Sequence, residues 1–266
     1  MNKPFLKWAG GKSQLLLSIR KLYPQTINRY LEPFLGGGAV FFDLSPENYL
    51  ISDSNPELIN VYKNISTKSN EVINELLKMK YDEEFFYKIR AQNYKKISKV
   101  KAAARMIYLN RTCFNGLYRV NKKGEFNVPF GRYKNPDFIQ RDRIKGAAKI
   151  LKYRSIRCMD FRTLINFDIS KKDFIFFDPP YVPLEGYADF KRYTKEQFHI
   201  SSHHDLAFIF KKLAKKKVKM VLTNSNTELV HDLYKGFDIS IVKSNRSINC
   251  KSNKRKGEDL IIHANI

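Results

Sequence analysis

The sequence predicts an α/β protein in which a doubly wound sheet is interrupted by an inserted, mainly helical lobe. Three patterns support this prediction. Short apolar runs rich in β-branched and aromatic residues recur in the first and last parts of the chain, and helical patterns separate several of them. The middle of the chain has helical spacing instead. The final two apolar runs have only a short connection.

Seven of these runs are predicted strands: Tyr30–Phe34, Tyr49–Ser52, Ser155–Met159, Asp173–Phe177, Val218–Thr223, Ile239–Val242 and Leu260–His263. The helical patterns between them are Lys12–Leu22, Ala39–Leu44, Ser202–Ala214 and Glu228–Tyr234. Strands that alternate with helices form a parallel sheet. The connection Lys243–Asp259 contains no helical pattern, so the final two strands are expected to form an antiparallel hairpin at the sheet edge.

The inserted lobe is predicted to be helical and to end in a β-hairpin. Its helical patterns are Asn55–Lys68, Asn70–Lys80, Asp82–Ile97 and Lys101–Leu109. The hairpin spans Leu117–Gly131, with Gly124 at the turn position that tolerates a positive φ. We therefore predict two domains: a sheet domain of residues 1–54 and 155–266, and a lobe of residues 55–154.

The charge of the chain points to a polyanionic partner. Basic residues outnumber acidic ones by 49 to 26, a net charge of +23, and nucleic acid is the commonest partner of such a surface. A lysine-rich proteome is the alternative explanation. The three cysteines are isolated, which argues against a disulfide framework or a structural metal. No apolar run resembles a signal peptide or a membrane span, so we expect a soluble protein of the cytoplasm.

A glycine cluster follows the first predicted strand, in the segment Leu31–Gly38. Glycines allow the backbone to approach a ligand, and the helix that begins after them favours an anionic group. The second strand is followed by Asp53, which is placed to accept hydrogen bonds from ribose hydroxyls. A glycine loop with such an acid indicates a nucleoside cofactor without a diphosphate, and S-adenosylmethionine fits that description. A tight strand-to-helix turn is the structural alternative.

The segment Asp178–Tyr181, which we call the aspartate loop, follows a strongly apolar strand. Ligands of open α/β sheets bind beyond the carboxyl ends of the strands, and Pro179 and Pro180 restrict the loop. The exocyclic amine of a nucleobase is a poor nucleophile because its lone pair is delocalised into the ring. The carboxylate of Asp178 and the carbonyl of Pro179 can each accept an N–H and free that lone pair. Tyr181 offers a flat face for an extruded base; a proline-stiffened strand end is the alternative.

Five segments together resemble the Dam/Dpn family of DNA adenine methyltransferases: Phe5–Lys12, the glycine loop, Asn110–Leu117, Gly124–Tyr133 and the aspartate loop. The resemblance covers nearly the whole chain. The lobe lies between the glycine loop and the aspartate loop, which is the alpha-class order of that family. The resemblance implies a Rossmann-like methyltransferase sheet and a lobe that recognises the DNA target.

The resemblance also implies roles in binding the cofactor. Trp8 is expected to pack in the cofactor pocket, and Lys12 to offer charge near the methionine carboxylate of the cofactor. Asp160 and Phe161, which follow another strand, are expected near its adenine; a helix N-cap and a core phenylalanine are the alternative. The predicted cofactor contacts are Trp8, Ala9, Gly10, Lys12, Pro33, Phe34, Gly36, Gly37, Gly38, Asp53, Asp160, Phe161 and Asp178.

Basic and aromatic side chains around the predicted hairpin are the candidates for reading DNA. A two-stranded ribbon fits the major groove, and arginine is the usual bidentate partner of guanine. By analogy with the family, Arg119 reads a guanine, Phe114 and Asn115 fill space at the target step, and Lys7 touches a flanking base. A hairpin that contacts only phosphates is the alternative. The predicted DNA contacts are Lys7, Arg111, Phe114, Asn115, Leu117, Arg119, Lys122, Lys123, Pro129, Arg132, Tyr133 and Arg246.

These features together predict a site-specific DNA adenine-N6 methyltransferase. It would use S-adenosylmethionine, release S-adenosylhomocysteine, need no metal and act on adenine flipped from duplex DNA. The resemblance makes GATC the expected target. The alternatives are a cytosine-N4 methyltransferase, which usually has serine in place of Asp178, a methyltransferase of protein or RNA amines, and a catalytically silent DNA-binding regulator.

The sequence leaves the biological setting open. We expect a monomer that makes no membrane contact. It would act either alone or beside a restriction endonuclease that cuts the same site without needing to touch it.

Overall fold

The computed structural model describes residues 3–8, 10–183, 198–245 and 256–266. These residues form one seven-stranded sheet of order β3-β2-β1-β4-β5-β7-β6. The strands are β1 (Tyr30–Glu32), β2 (Tyr49–Asp53), β3 (Ile156–Cys158), β4 (Phe174–Phe177), β5 (Lys219–Ser225), β6 (Asp238–Asn245) and β7 (Lys256–Ala264). Strands β1 to β5 are parallel, and β7 pairs antiparallel with both β5 and β6. The predicted parallel sheet with an antiparallel edge is confirmed.

The sheet is buried on both faces. Along β4, Phe174 and Phe176 point into one apolar core, whereas Ile175 and Phe177 point into the other. A strand that is covered on both faces needs apolar side chains at every position, which explains the continuous apolar sequence of β4.

Helices cover both faces, as a doubly wound sheet requires. They are α1 (Leu16–Arg20), α2 (Ala39–Leu44), α3 (Pro56–Leu77), α4 (Glu83–Ala91), α5 (Lys99–Thr112), α6 (Arg141–Ile150), α7 (Ile200–Lys215) and α8 (Glu228–Leu233). The buried side chains of α7 and α8 pack on one face of the sheet, and those of the other helices pack on the opposite face. In the described residues, no helix is both long and apolar enough to cross a membrane.

The lobe shares its apolar core with the sheet. Tyr62 of α3 and Tyr108 of α5 belong to the same buried cluster as Phe174 of β4. The proposed division into residues 1–54 with 155–266 and residues 55–154 therefore describes two parts of the chain joined by one continuous core. It stays a prediction that the second part recognises DNA.

Four local elements differ from the prediction. The helix expected at Asp82–Ile97 ends at Ala91 as α4 and is followed by a separate 3₁₀ turn at Tyr94–Lys96. The helices expected at Asn55–Lys68 and Asn70–Lys80 form the single span α3, which is kinked at Lys68, where φ is −136°. Helix α6 was not predicted, because it buries only Ile144 and Ala147 and its N-cap is a left-handed glutamine. The helix expected at Lys12–Leu22 is a 3₁₀ turn followed by the short α1.

The predicted hairpin at Leu117–Gly131 forms, and its arms pair antiparallel through isolated bridges. The Asn121 amide donates to the Glu125 carbonyl at 2.9 Å, and the Asn127 amide donates to the Arg119 carbonyl at 3.1 Å. Val120 bridges to Phe126, and Cys113 to Phe130, without a continuous ladder. The turn is as expected: the Gly124 amide donates to the Asn121 carbonyl at 2.9 Å, and Gly124 has φ of +81°.

A buried ion pair joins α3 to α5. Arg105 Nη1 lies 2.7 Å from Glu57 Oε1, and both side chains are no more than 4% exposed. The guanidinium also donates to the carbonyls of Ile89 at 3.1 Å and Arg90 at 2.7 Å. The second carboxylate oxygen of Glu57 accepts the Tyr118 hydroxyl at 2.9 Å. Every partner in this cluster is therefore needed to satisfy the others.

We predict that Arg105→Met lowers the free energy of unfolding by about 3–5 kcal/mol, because it leaves the Glu57 carboxylate buried without its cation. Urea denaturation measures the change. Arg132→Met is the matched control, since Arg132 pairs with Glu83 at the surface, and an exposed pair is worth less than about 1 kcal/mol. Equal losses in the two variants would contradict this account of the buried pair.

Candidate functional site

Three acidic side chains meet at one edge of the sheet. Glu32 ends β1, Asp53 ends β2 and Asp178 follows β4, and the order β2-β1-β4 makes these strands neighbours. Because the three strands are parallel, their carboxyl ends lie at the same edge, where open α/β sheets bind ligands. The structure thus brings together the glycine loop, the predicted ribose-binding acid and the aspartate loop.

Two side chains hold the carboxylate of Asp178 by the same oxygen. Lys12 Nζ lies 2.6 Å from Oδ1, and the Thr223 hydroxyl donates to Oδ1 at 2.9 Å. Within the described part of the chain, neither contact uses Oδ2. Burial raises the pKa of Asp178, and this effect is opposed by Lys12 and Thr223.

The polar end of β5 anchors the rest of this loop. Val182 donates its amide hydrogen to Asn224 Oδ1 at 3.0 Å, and its carbonyl accepts the Ser225 hydroxyl at 2.7 Å. Sequence analysis did not identify Thr223, Asn224 or Ser225 as functional. Their signal is a run of polar residues at the carboxyl end of a buried parallel strand, which is unusual in an apolar core.

Lys12 is buried beneath the loop, with 4% of its side chain exposed. Its ammonium also donates to the carbonyl of Gly10 and lies 4.7 Å from the centroid of the Tyr181 ring. Burial lowers the pKa of Lys12, but Asp178 and Tyr181 outweigh burial and raise it overall. The lysine is therefore charged and is in contact with two members of the predicted catalytic loop.

Asp53 is tied to the glycine loop. One of its carboxylate oxygens accepts the Gly36 amide at 3.1 Å, and the other accepts the Asn55 amide at 2.9 Å. Burial raises the pKa of Asp53 to about 6, against the backbone hydrogen bonds, which lower it. The carboxylate has lone pairs left for hydroxyl donors.

Glu32 is a buried acid that sequence analysis missed. It is 2% exposed and accepts the Tyr30 hydroxyl at 2.7 Å. Burial raises the pKa of Glu32 well above its ordinary value; the nearby Asp178 raises it further, and the Tyr30 hydrogen bond opposes both. A glutamate in an apolar strand followed by Pro33 is its only signal in the sequence.

Trp8 connects the glycine loop to the lobe. A Cβ at Gly36 would lie 2.6 Å from Trp8 Cδ1, and Gly36 has φ of +47°, so only glycine fits there. Tyr118 also stacks on the indole, at 5.3 Å between ring centroids. Tyr118 is in turn bonded to Glu57, so the packing of Trp8 depends on the buried ion pair of the lobe.

The predicted DNA-contacting residues fall into one main cluster. Asn110 exchanges two hydrogen bonds with the backbone of Lys7, at 2.8 and 2.7 Å, and Lys7 Nζ lies 4.6 Å from the Tyr133 ring centroid. Burial and the neighbouring cation of Arg111 lower the pKa of Lys7. Phe114, in the same cluster, is 45% exposed.

The remaining predicted DNA contacts lie around the loop at Leu117–Gly131. Arg119 donates from Nε to Asn127 Oδ1 at 2.8 Å and from Nη2 to the Asn127 carbonyl at 3.4 Å, which fixes the guanidinium and leaves Nη1 outside both contacts. Lys122 and Lys123 are exposed at the turn. Arg132 stands apart, paired with Glu83 at the surface.

The structure places some predicted residues without testing their roles. Phe161 is buried and packs against Phe34 at 5.2 Å between ring centroids. Asp160 caps the following 3₁₀ helix by accepting the Arg162 amide at 2.8 Å, so the structural alternative is present, and an adenine contact stays a prediction. Ala9 and Arg246 lie outside the described residues.

The arrangement is suited to a cationic nucleoside and to an amine. Three carboxylates lie at this edge of the sheet, and Asp178 Oδ2, which neither of the two described contacts uses, can accept a hydrogen bond from an amine. In the described residues, no group of three or more histidine, cysteine, aspartate or glutamate side chains is placed to hold a metal ion.

Comparison with known proteins agrees with this geometry. The sequence model of the family described as D12 class N6 adenine-specific DNA methyltransferase matches residues 8–248. The type II methyltransferase M.MjaIII of Methanocaldococcus jannaschii is 42% identical, with 96% of this chain and 95% of the relative covered. The type II methyltransferase M1.LlaDCHI of Lactococcus lactis is 40% identical, covering 95% and 92%. The DNA adenine methylase of Haemophilus influenzae is 34% identical, covering 98% and 93%.

Proposed function

Because the chain belongs to the family of D12 class N6 adenine-specific DNA methyltransferases, we propose that its aspartate loop methylates an adenine turned out of duplex DNA. Adenine-specific DNA methylation follows from the family, and S-adenosylmethionine is the methyl donor that the family implies. The residue roles, the target sequence and the biological setting are our proposal. The observation that supports it best is Asp178, held by Oδ1 with Oδ2 available at the sheet edge.

The chemistry of this loop follows from the acceptors that it presents. Asp178 Oδ2 and the carbonyl oxygen of Pro179 each accept one N–H of the adenine amine, which draws the nitrogen towards tetrahedral geometry. The lone pair is then released from the ring. Tyr181 stacks on the extruded base and fixes its plane. When bound, S-adenosylmethionine supplies an electrophilic methyl group, and S-adenosylhomocysteine is the product.

The residues at the neighbouring strand ends fit that cofactor by their chemistry. The sulfonium is a cation, and the site carries Glu32, Asp53 and Asp178 within a region that contains Lys12 as counter-charge. Asp53 accepts from the ribose hydroxyls. The glycine loop exposes backbone groups that can approach the cofactor closely, and Trp8 packs beside this loop.

Contacts with DNA divide into base reading and backbone binding. Lys7, Phe114 and Asn115 lie beside the target base, where the exposed phenylalanine fills space left by flipping. Arg119, fixed by Asn127, reads a guanine with its terminal nitrogens. The exposed cations bind phosphates: they are Lys122, Lys123, Arg132 and, outside the described residues, Arg246.

The target and the setting rest on the relatives. We infer GATC from the resemblance of the recognition segments to the Dam/Dpn family. Two relatives with 42% and 40% identity are named type II methyltransferases, which supports a partnership with a restriction endonuclease of the same specificity. Relatives named DNA adenine methylase support a solitary role. In either setting the enzyme acts as a monomer in the cytoplasm. The cytosine-N4 alternative is disfavoured because the matched family is adenine-specific.

Methylation-aware sequencing tests the proposal. The protein is expressed in a host strain without its own adenine methylase, and host DNA is compared with DNA from cells that carry the empty vector. The expected result is N6-methyladenine at every GATC on both strands. Methylated adenine within a different sequence would refute GATC alone, whereas methylated cytosine, or no methylation, would refute the proposed reaction.

A pair of substitutions separates base reading from charge. Arg119→Ala is expected to cost about 1–3 kcal/mol on the cognate site and to relax discrimination at one base pair. Lys122→Ala is expected to weaken all sequences alike and to lower the salt slope by roughly one unit. Binding of cognate and single-mismatch duplexes across a salt series gives both quantities. Each substitution removes one positive charge, so parallel losses in the two variants would show that this loop contacts only the backbone.

A further inference from the structure

We propose that Lys12 and Thr223 are positioning residues for methyl transfer: together they hold Asp178 by one oxygen, so that the other oxygen meets the substrate amine. This inference rests on the proposed function, because the orientation of the carboxylate matters only if Asp178 accepts the N6 hydrogens.

The two contacts approach from different elements. Lys12 lies in the 3₁₀ turn before α1, and Thr223 lies near the end of β5. Both donate to Oδ1, at 2.6 and 2.9 Å. A carboxylate fixed by a single hydrogen bond can rotate about that bond, whereas two donors on one oxygen fix which oxygen faces outwards. Because both donors bind Oδ1, Oδ2 is the oxygen that accepts a hydrogen bond from the substrate amine.

The same lysine also orients the aromatic residue of the loop. Its ammonium lies 4.7 Å from the Tyr181 ring centroid, a cation–π contact. One face of the ring is occupied by Lys12, so the flipped base stacks on the opposite face. One buried cation thus sets both the hydrogen-bond acceptor and the stacking surface of the reaction.

This role differs from the one that the family resemblance implies for Lys12, which is contact with the methionine carboxylate of the cofactor. The ammonium has three hydrogens, and Asp178 Oδ1 and the Gly10 carbonyl each accept one. The side chain of Lys12 is 4% exposed, and its ammonium contacts both Asp178 and Tyr181 of the aspartate loop. We therefore expect the loss of Lys12 to change the orientation and the pKa of Asp178 before it changes the binding of the cofactor.

The ionisation of Asp178 gives the experiment a specific readout. Among the residues that the structure describes, the titratable groups that act on this carboxylate are Lys12, Tyr181, Glu32, Tyr30 and Asp259. Lys12 is the cation among them and lowers the pKa of Asp178, whereas burial and Asp259 raise it. The ionised carboxylate accepts the amine hydrogens more strongly than the neutral acid, so protonation of Asp178 weakens the proposed contact. Removing Lys12 raises that pKa further, so activity is lost at a higher pH as the solution is acidified.

The experiment measures single-turnover methylation of a cognate duplex from about pH 5 to about pH 9, with DNA and S-adenosylmethionine saturating. Saturation removes the contribution of cofactor binding, including the titration of Asp53. The variants are Lys12→Met, Lys12→Arg, Thr223→Val and Thr223→Ser. Lys171→Met is the control for loss of charge, because Lys171 is exposed and precedes β4, at the opposite end of that strand from Asp178. The quenching of Trp8 fluorescence by S-adenosylmethionine gives the dissociation constant of each variant.

For Lys12→Met we expect a rate lower by about tenfold to a hundredfold at neutral pH. In the profile of rate against pH, the fall in rate on the acidic side (the acid limb) should occur at a higher pH than in the wild type. Thr223→Val should show a smaller displacement in the same direction. Lys12→Arg and Thr223→Ser should recover part of the rate, and Lys171→Met should match the wild type. If Lys12→Met does not fold, the nearly isosteric Thr223→Val decides the matter alone.

Two other outcomes have distinct meanings. A wild-type acid limb and rate in both Lys12→Met and Thr223→Val, with a raised cofactor dissociation constant for Lys12→Met, would overturn the inference and assign the lysine to the cofactor carboxylate. A wild-type protein that methylates no adenine would instead refute the proposed function itself.

Discussion

The concentration of acidic groups at one edge of the sheet is the constraint on which the site depends. Parallel pairing of β2, β1 and β4 brings the ends of those strands together, and Glu32, Asp53 and Asp178 come with them. Burial raises the pKa of each of the three carboxyl groups, and the charge of Asp178 raises that of Glu32 further. The buried ammonium of Lys12 offsets part of the effect of burial and does so at Asp178. The remaining negative charge is available to stabilise a cationic ligand.

The segments proposed to read DNA and the segments proposed to bind the cofactor are built as one unit. Trp8 lies between Gly36 and Tyr118, and the neighbouring Lys7 is held by Asn110 through its backbone. Tyr118 directly precedes Arg119 in the chain. The stacking of Tyr118 on Trp8 therefore fixes the backbone beside Arg119, the residue proposed to contact a guanine. The buried Glu57 carboxylate fixes Tyr118 in turn. These contacts give the target segment a rigid relation to the methyl-transfer site without a hinge between two separate cores.

Much of the fold and the outline of the site could be predicted from the sequence. The alternation of apolar strands and helices predicts the sheet, and the strand ends followed by Asp53 and Asp178 predict the edge at which ligands are expected to bind. Long-range pairings could not be predicted, because no periodicity records that Lys12 meets Asp178 or that Thr223 reaches the same oxygen. Helix α6 was missed because its apolar stripe is too narrow to be recognised. The alternation around Gly124 predicted the hairpin, but it does not determine how many backbone pairs form beside the turn.

The most direct test of the central claim is the single-turnover rate of Asp178→Asn on a cognate duplex, measured with both dissociation constants. Asparagine keeps the size of the side chain but loses the negative charge that draws the amine hydrogens. The account predicts a rate lower by about a hundredfold or more, with the affinities for duplex DNA and S-adenosylmethionine close to those of the wild type. A near wild-type rate of adenine methylation in this variant would contradict it.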